Sequence, residues 1–390
     1  MDKLIYLVYP LVLLALVWGS KWYGRNKWNE DFFSLDQSKM WQGFFAICIL
    51  LHHAGQKTCA PWMPNKKLIR PGLDFFVPIG YFFVAFFLIC SGYGLYVSWK
   101  RKPDYLKGFF RRRVLPLILT FYVVEWMYLA VRLLLGEKMD ATQILYYITG
   151  IQLANHNSWF VLALPIFYLM FWLCFRFLKS EGAAMTGVFT LILAYVLLGC
   201  SLNHLDKDMW MCGEWWYNTA IFFPLGLLFG KYKDAIVRGA KQCWLPLMIL
   251  SVFFGVLLYF GAELVQGNLS YYCEWVKVPS ERLLRRFMCV LSQNGAALMF
   301  VVFMVLLGLK VKIGNGVLRF MGAITLEFYL VHGLFVELFG FDFLEVIPSL
   351  VFIKNVALYT LVVAACSLPV TLLVRKLLHP KQPFLPKVKG

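Results

Sequence analysis

Charge is scarce in this chain. Only 15% of its 390 residues are Asp, Glu, Lys or Arg, against about a quarter in a soluble domain. A long polar stretch is missing too, as are low-complexity tracts and internal repeats. A water-soluble fold of this length has nowhere to hide a composition that is 61% hydrophobic and 18% aromatic, so the natural solvent is lipid. The ten cysteines are scattered without one Cys-x-x-Cys pair, which argues against a zinc or iron–sulfur site. No basic arm or DNA-reading motif accompanies the net charge of +17, so no nucleic-acid partner is expected. The cations sit in short loops, where they set topology and meet anionic membrane lipids.

What is present is a series of apolar segments of membrane-crossing length. Eleven helices are expected, at residues 3–20, 40–56, 74–98, 112–136, 157–178, 184–203, 215–231, 243–265, 286–309, 318–341 and 349–376. The fold class is therefore an all-α polytopic membrane bundle. No small-residue cleavage site follows the first segment, which reads as a retained helix. If the loop "WKRKPDYLKGFFRRR" is cytoplasmic, the inward loops and tail hold 25 of the 38 Lys and Arg. The N-terminus is then outside and the C-terminus cytoplasmic. Lys57, Lys66, Lys67 and Arg70 run against this trend. Two longer outward segments, 136–158 and 265–286, cap a cavity or lie in the interface. Cys59, Cys212 and Cys273 fall in or beside outward loops, which leaves room for one disulfide.

Ionisable groups inside a bilayer are costly and face a cavity or a partner. Here they are His52 and His53, Asp74, Glu125, Glu263, Glu327, His332 and Glu337. Glu263 and Glu337 stand near helix ends, where they reach water. The pair His52–His53 ends the run "FFAICILLHH" in the outer half of the membrane. Neighbouring helical residues project about 100° apart, so the two histidines cannot share one role. Three readings are open: a hydrogen-bonded structural pair, a metal site lacking obvious further ligands, or a general base. Glu327 and His332 are five residues apart and point to different faces. Glu327 and Tyr329 are cavity groups or polar glue between helices.

Two further clusters have a structural and a functional reading. Arg111, Arg112 and Arg113 precede an apolar run in the most basic loop. They are a topology anchor on lipid phosphate or a phosphate clamp, since guanidinium groups bind phosphate in bidentate fashion. Ser91 and Gly92 lie in "FFLICSGYGLY", where small residues indicate close helix packing. Nothing like a Gly-x-Ser-x-Gly elbow surrounds Ser91, so it is not favoured as a nucleophile.

Taken in order, these pieces resemble the membrane-bound acyltransferase 3 family over about residues 38–376. "QGFFAICILLHH" resembles its first helix ending in His, and "PIGYFFVAFFLICSGYGLY" its Phe-rich run into Ser-Gly-aromatic. "RRRVLP" is similar to its Arg-x-x-Pro loop, with Arg113 and Pro116. "NSWFVLALPIFYLMFWL", "FFPLGLLFGKY" and "TLEFYLVHGLF" resemble its Trp-Phe-Leu, Leu-Gly-x-x-x-Gly and Tyr-Leu-x-His segments. The resemblance implies a ten-helix core. Residues 1–37 are then an added helix and linker, 38–376 the acyltransferase-like domain and 377–390 a cytoplasmic tail.

It also implies an O-acyltransferase with no bound cofactor. Acyl-CoA, usually acetyl-CoA, is the co-substrate from the cytoplasm, and the acceptor is a hydroxyl of a cell-surface or lipid-linked glycan. In that scheme His53, with His52 beside it, is the general base, and Arg111, Arg112 and Arg113 hold the CoA phosphates. Ser91, Tyr93, Glu125, Trp159, Glu327, Tyr329 and His332 line or support the cavity, and no metal is needed. The family's basic residue eleven positions before the catalytic His falls on Gln42, a departure, with Lys39 the nearest cation. Two other classes compete: a transporter or glycan exporter with intramembrane His and Glu, and a non-catalytic sensor on the same fold.

Overall fold

The computed structural model describes residues 2–63, 66–202, 209–211, 213–273, 275–341 and 350–380. A 3₁₀ turn leads into α1 (Val8–Val17), followed by α2 (Leu35–Thr58), α3 (Gly80–Arg101) and α4 (Leu115–Leu134). Next come α5 (Ala141–Thr149), α6 (Trp159–Phe177), α7 (Glu181–Ser201), the single turn α8 (Trp215–Asn218) and α9 (Phe222–Gln242). The chain continues with α10 (Trp244–Leu269), α11 (Pro279–Gly308), α12 (Gly316–Ala323), α13 (Thr325–Phe339) and α14 (Val356–Leu378). The one sheet among the described residues has two antiparallel strands, β1 (Lys21–Trp22) and β2 (Val311–Lys312), with Lys21 opposite Lys312.

The protein is an all-α polytopic membrane protein. Among the described residues seven helices are long and apolar enough to cross a bilayer alone, and α12 with α13 makes an eighth if counted as one bent span. Three of the eleven expected spans fall short by that measure. The first is too short, with an apolar helix only over Lys3–Val17. The second carries Asp36, Lys39 and Lys57 within α2. The seventh is apolar only over the first half of α9, which runs on to Gln242 through Lys231, Lys233, Asp234, Arg238 and Lys241.

The expected tenth helix, 318–341, is broken. Its halves, Gly316–Ala323 and Thr325–Phe339, meet at 83°. Asn315 caps α12 by accepting from Leu318 N and donates to Ala15 O and Trp18 O, which fixes where that half begins. At the break, Arg375 of α14 donates to Ala323 O and pairs with Glu327 in the first turn of α13. The freed carbonyl is thus satisfied by a charged side chain instead of a continuing helix. The fourth span begins two residues earlier than expected as a π-turn, Phe110–Val114. Pro116 has no N–H to return to the carbonyl four residues back, which favours that irregular entry.

By packing, the chain forms two compact units: Met1–Phe83, Leu119–Ser158 and Lys310–Gly390 in one, Val84–Ile118 and Trp159–Leu309 in the other. In the first unit α2 is its axis. A Cβ on Gly43 would collide with Leu318 O of α12, and one on Gly322 with Lys39 O, so the two backbones touch where these helices cross. The N-terminal segment belongs to this unit: Tyr9 donates to Gly72 O, and Ile5 fills the space a side chain on Gly72 would take. In the second unit α3 meets α9 in the same manner, through Gly92 against Phe223 O and Gly226 against Ile89 O. The close-packing reading of the Ser-Gly segment holds for Gly92.

Candidate active site

The first unit gathers most of the buried ionisable groups. His53 lies on α2 and His332 on α13. His53 Nδ1 is 2.7 Å from His332 Nε2, and His332 Nδ1 is 2.8 Å from Phe328 O. The ring planes differ by 8° and the centroids are 4.9 Å apart, which is an in-plane, edge-to-edge hydrogen bond rather than stacked faces. The carbonyl can only accept, so His332 Nδ1 carries the proton and its Nε2 accepts from His53 Nδ1–H. This chain leaves the lone pair of His53 on Nε2, which has no hydrogen-bond partner among the described residues. His332 is fully buried, whereas His53 keeps 8% exposure. The dyad is anchored at one end and unbonded at the other.

His52 turns elsewhere. Its Nδ1 donates to Phe76 O at 2.9 Å, and its ring lies where a Cβ on Gly80 would stand, 2.6 Å away. The two adjacent histidines therefore have separate partners, as their angular offset on a helix requires.

Glu125, expected in the cavity, is a scaffold group. Its carboxylate accepts from Ala154 N, from Asn155 N at 3.3 Å and from Ser158 Oγ at 3.5 Å. It thereby holds the segment that precedes α6. That segment reaches α13: Asn155 Nδ2 donates to Leu330 O at 2.9 Å, and Tyr329 donates its hydroxyl proton to Asn157 O. Glu327 is paired with Arg375 and points away from His332, as the five-residue spacing requires.

Glu337 is partly buried, and its carboxylate is 2.5 Å from Lys57 Nζ of α2. The pair explains one exception to the charge asymmetry, because Lys57 is a helix residue with a partner and not a loop cation. Arg70, another exception, donates to Ile353 O at 3.0 Å and to Lys354 O, and covers the Phe352 ring. Glu263 is exposed on α10, as expected near a helix end. Asp74 opens a 3₁₀ turn before α3 and accepts from Gly72 N at 2.6 Å.

The remaining candidates belong to the second unit. Ser91 Oγ is 2.9 Å from the Tyr168 hydroxyl, and Lys233 Nζ donates to the Tyr93 hydroxyl at 3.2 Å. Trp159 opens α6 with its ring edge-on to Phe160. The three arginines are not equivalent. Arg112 donates to Tyr105 O at 2.8 Å and Lys107 O, and Arg113 to the Tyr105 hydroxyl at 2.8 Å and Ser98 Oγ at 3.3 Å. Both tie down the loop between α3 and α4. Arg111 is exposed and makes no hydrogen bond or ion pair among the described residues. Cys59 and Cys273 are free thiols, and Cys212 lies outside the described residues.

A family model described as an acyltransferase domain matches residues 36–376. The chain belongs to the acyltransferase 3 family. No curated protein and no solved structure matches it. The match takes in both histidines, the arginine turn and the broken helix of this membrane acyltransferase. At Gln42 the acyltransferase has no cation; the nearby crossing of α2 with α12 ends at the residue that the buried Arg375 holds. Gly322 rests on Lys39 O beside Gly43, and Arg375 donates to the carbonyl of the next residue, Ala323.

Asn155, Asn157 and the Lys57–Glu337 pair were not predicted from the sequence. The asparagines sat in a segment read as an outward cap, with no spacing to tie them to α13. Lys57 was visible as an oddity of charge, and only its distance in sequence from Glu337 hid the pairing.

Proposed function

We propose that this membrane acyltransferase moves an acyl group, acetyl in the simplest case, from acyl-CoA to a hydroxyl of a saccharide acceptor, with His53 as general base. One observation carries the reading: the hydrogen-bond chain Phe328 O, His332, His53 leaves a neutral imidazole whose one unbonded nitrogen, Nε2, is basic. His53 Nε2 takes the acceptor's proton as its oxygen adds to the thioester carbonyl. His332 accepts from the other ring nitrogen and keeps the tautomer fixed, the part a carboxylate plays in hydrolase triads. Collapse of the tetrahedral species breaks the C–S bond, and the imidazolium returns its proton to the departing thiolate. His52, spent on Phe76 O, supports α2.

The donor's phosphates are assigned to the arginine turn of the second unit. Arg111 presents its guanidinium to solvent, while Arg112 and Arg113 shape the loop that carries it. A cytoplasmic donor side follows from the distribution of Lys and Arg, which also supports an outward N-terminus and an inward C-terminus in the cell membrane.

The test compares His53→Ala with His52→Ala in purified protein supplied with acetyl-CoA and a lipid-linked saccharide acceptor, measuring released thiol. His53→Ala should abolish turnover, and His52→Ala should leave turnover in whatever protein folds. Full activity in both variants would end the histidine mechanism.

A further inference from the structure

The segment joining α5 to α6 carries one polar group that the fold does not use. Asn157 is fixed through its backbone on both sides: its N–H donates to Asn155 Oδ1 at 3.1 Å, and its carbonyl accepts from the Tyr329 hydroxyl. Asn155 in turn donates to Leu330 O of α13 and receives its position from Glu125 below. Ser158 closes the turn on Asn155 O at 2.6 Å. The side-chain amide of Asn157, by contrast, makes no hydrogen bond among the described residues, and Asn157 is only half-buried.

That amide has a definite place. A Cβ on Gly333 would lie 3.0 Å from Asn157 Nδ2 and 2.7 Å from the Tyr128 hydroxyl. Gly333 follows His332 on α13, and its absent side chain leaves the amide room against the α13 backbone, with Asn155 Oδ1 also 3.2 Å from that Cβ position. Tyr329, which holds Asn157, has its ring centroid 6.1 Å from that of His332. An unpartnered N–H₂ group on a backbone held at both its N–H and its carbonyl is placed to act as a donor. Such a donor is most effective where negative charge develops in a dry site.

We propose that the side-chain amide of Asn157 is a catalytic donor to the oxyanion formed when the acceptor hydroxyl adds to the thioester carbonyl. The inference rests on the acyl-transfer reading above. As the new C–O bond forms, the carbonyl π pair moves onto oxygen and is met by an N–H of Asn157. The pair returns when the C–S bond breaks and the thiolate leaves with the proton held by His53. Glu125 and Asn155 are positioning residues for Asn157, which gives the buried Glu125 a part in the reaction without contact with substrate.

The experiment uses the full-length protein, acetyl-CoA as donor, a lipid-linked saccharide as acceptor and thiol release as readout, with Asn157→Ala, Asn157→Asp and Gly333→Ala beside the native chain. Removing one oxyanion donor lowers kcat by ~10²–10³-fold. Asn157→Ala and Asn157→Asp should both show that loss with an unchanged KM for acetyl-CoA. Gly333→Ala, which pushes the amide aside, should lower kcat in the same direction. Asn157→Asp keeps the shape of the side chain, so it carries the test if the alanine variant fails to fold. Native kcat in folded Asn157→Asp or Asn157→Ala overturns the proposal. His53→Ala is run in parallel. If it is dead while the Asn157 variants are native, this inference alone fails. If it is fully active, or if the native chain releases no thiol, the acyl-transfer reading fails and this inference with it.

Discussion

α2 and α10 are similar in length and opposite in character. α10, with 26 residues, is apolar over most of its length, yet only Ser251 and Ala262 on it are buried. Just 11% of its apolar window is covered, and Ile249, Phe253, Phe260 and Leu264 all stand exposed. α2, with 24 residues, is too polar to qualify as a span by composition, yet fifteen of its residues are buried, Gln37, His53 and Lys57 among them. In lipid, apolar side chains need no protein partner, so the most apolar helix is free to face the bilayer. Polar side chains do need one, so a helix as polar as α2 is drawn to the middle of its unit. Hydropathy thus marks the surface of this protein, and buried polarity marks the candidate site.

The comparison is broken most forcefully at the Lys57–Glu337 pair. Glu337→Gln leaves a buried ammonium without its partner and should cost ~3–5 kcal/mol. Thermal unfolding in detergent checks this, and Lys57→Met combined with Glu337→Met should recover much of the loss because both charges are gone. His332→Phe keeps a ring of similar size but removes the acceptor for His53 Nδ1. Its kcat should fall by about 10²-fold or more with little change in KM, read from single-turnover thiol release. Arg111→Ala should raise KM for acetyl-CoA by about tenfold, the worth of one charge-assisted contact, and leave the acceptor's KM unchanged. At the other extreme, Phe253→Leu on α10 exchanges one lipid-facing apolar group for another. It should shift stability by no more than ~0.5 kcal/mol and leave turnover untouched.

Much of this was legible in the sequence because membrane helices announce themselves by length and composition. The helical class, the Arg-rich loop and the division of labour between His52 and His53 all follow from spacing and periodicity. The break at Ile324 was not legible. It depends on Arg375, some fifty residues away, reaching Ala323 O, and no local signal in "GAITLEF" records that. The His53–His332 bond was hidden for the same reason, since it joins residues 279 apart. Glu125 was expected to line or support the cavity, but what it supports was not legible, because two of its partners are backbone N–H groups that any sequence supplies. Glu337 was read as a helix-end residue near water, and only the approach of α2 to α13 shows that it pairs with Lys57. Local chemistry was readable, and its pairing across the fold was not.

The central claim is that His53 and His332 act as one unit, and a double-mutant cycle tests it most directly. His53→Ala, His332→Ala and the double variant would be compared by kcat for thiol release from acetyl-CoA, with unfolding temperatures as controls. A coupled dyad predicts that the double variant is little worse than His53→Ala alone, because His332 has nothing left to orient once the base is gone. Losses that multiply, with each histidine contributing independently of the other, would contradict it.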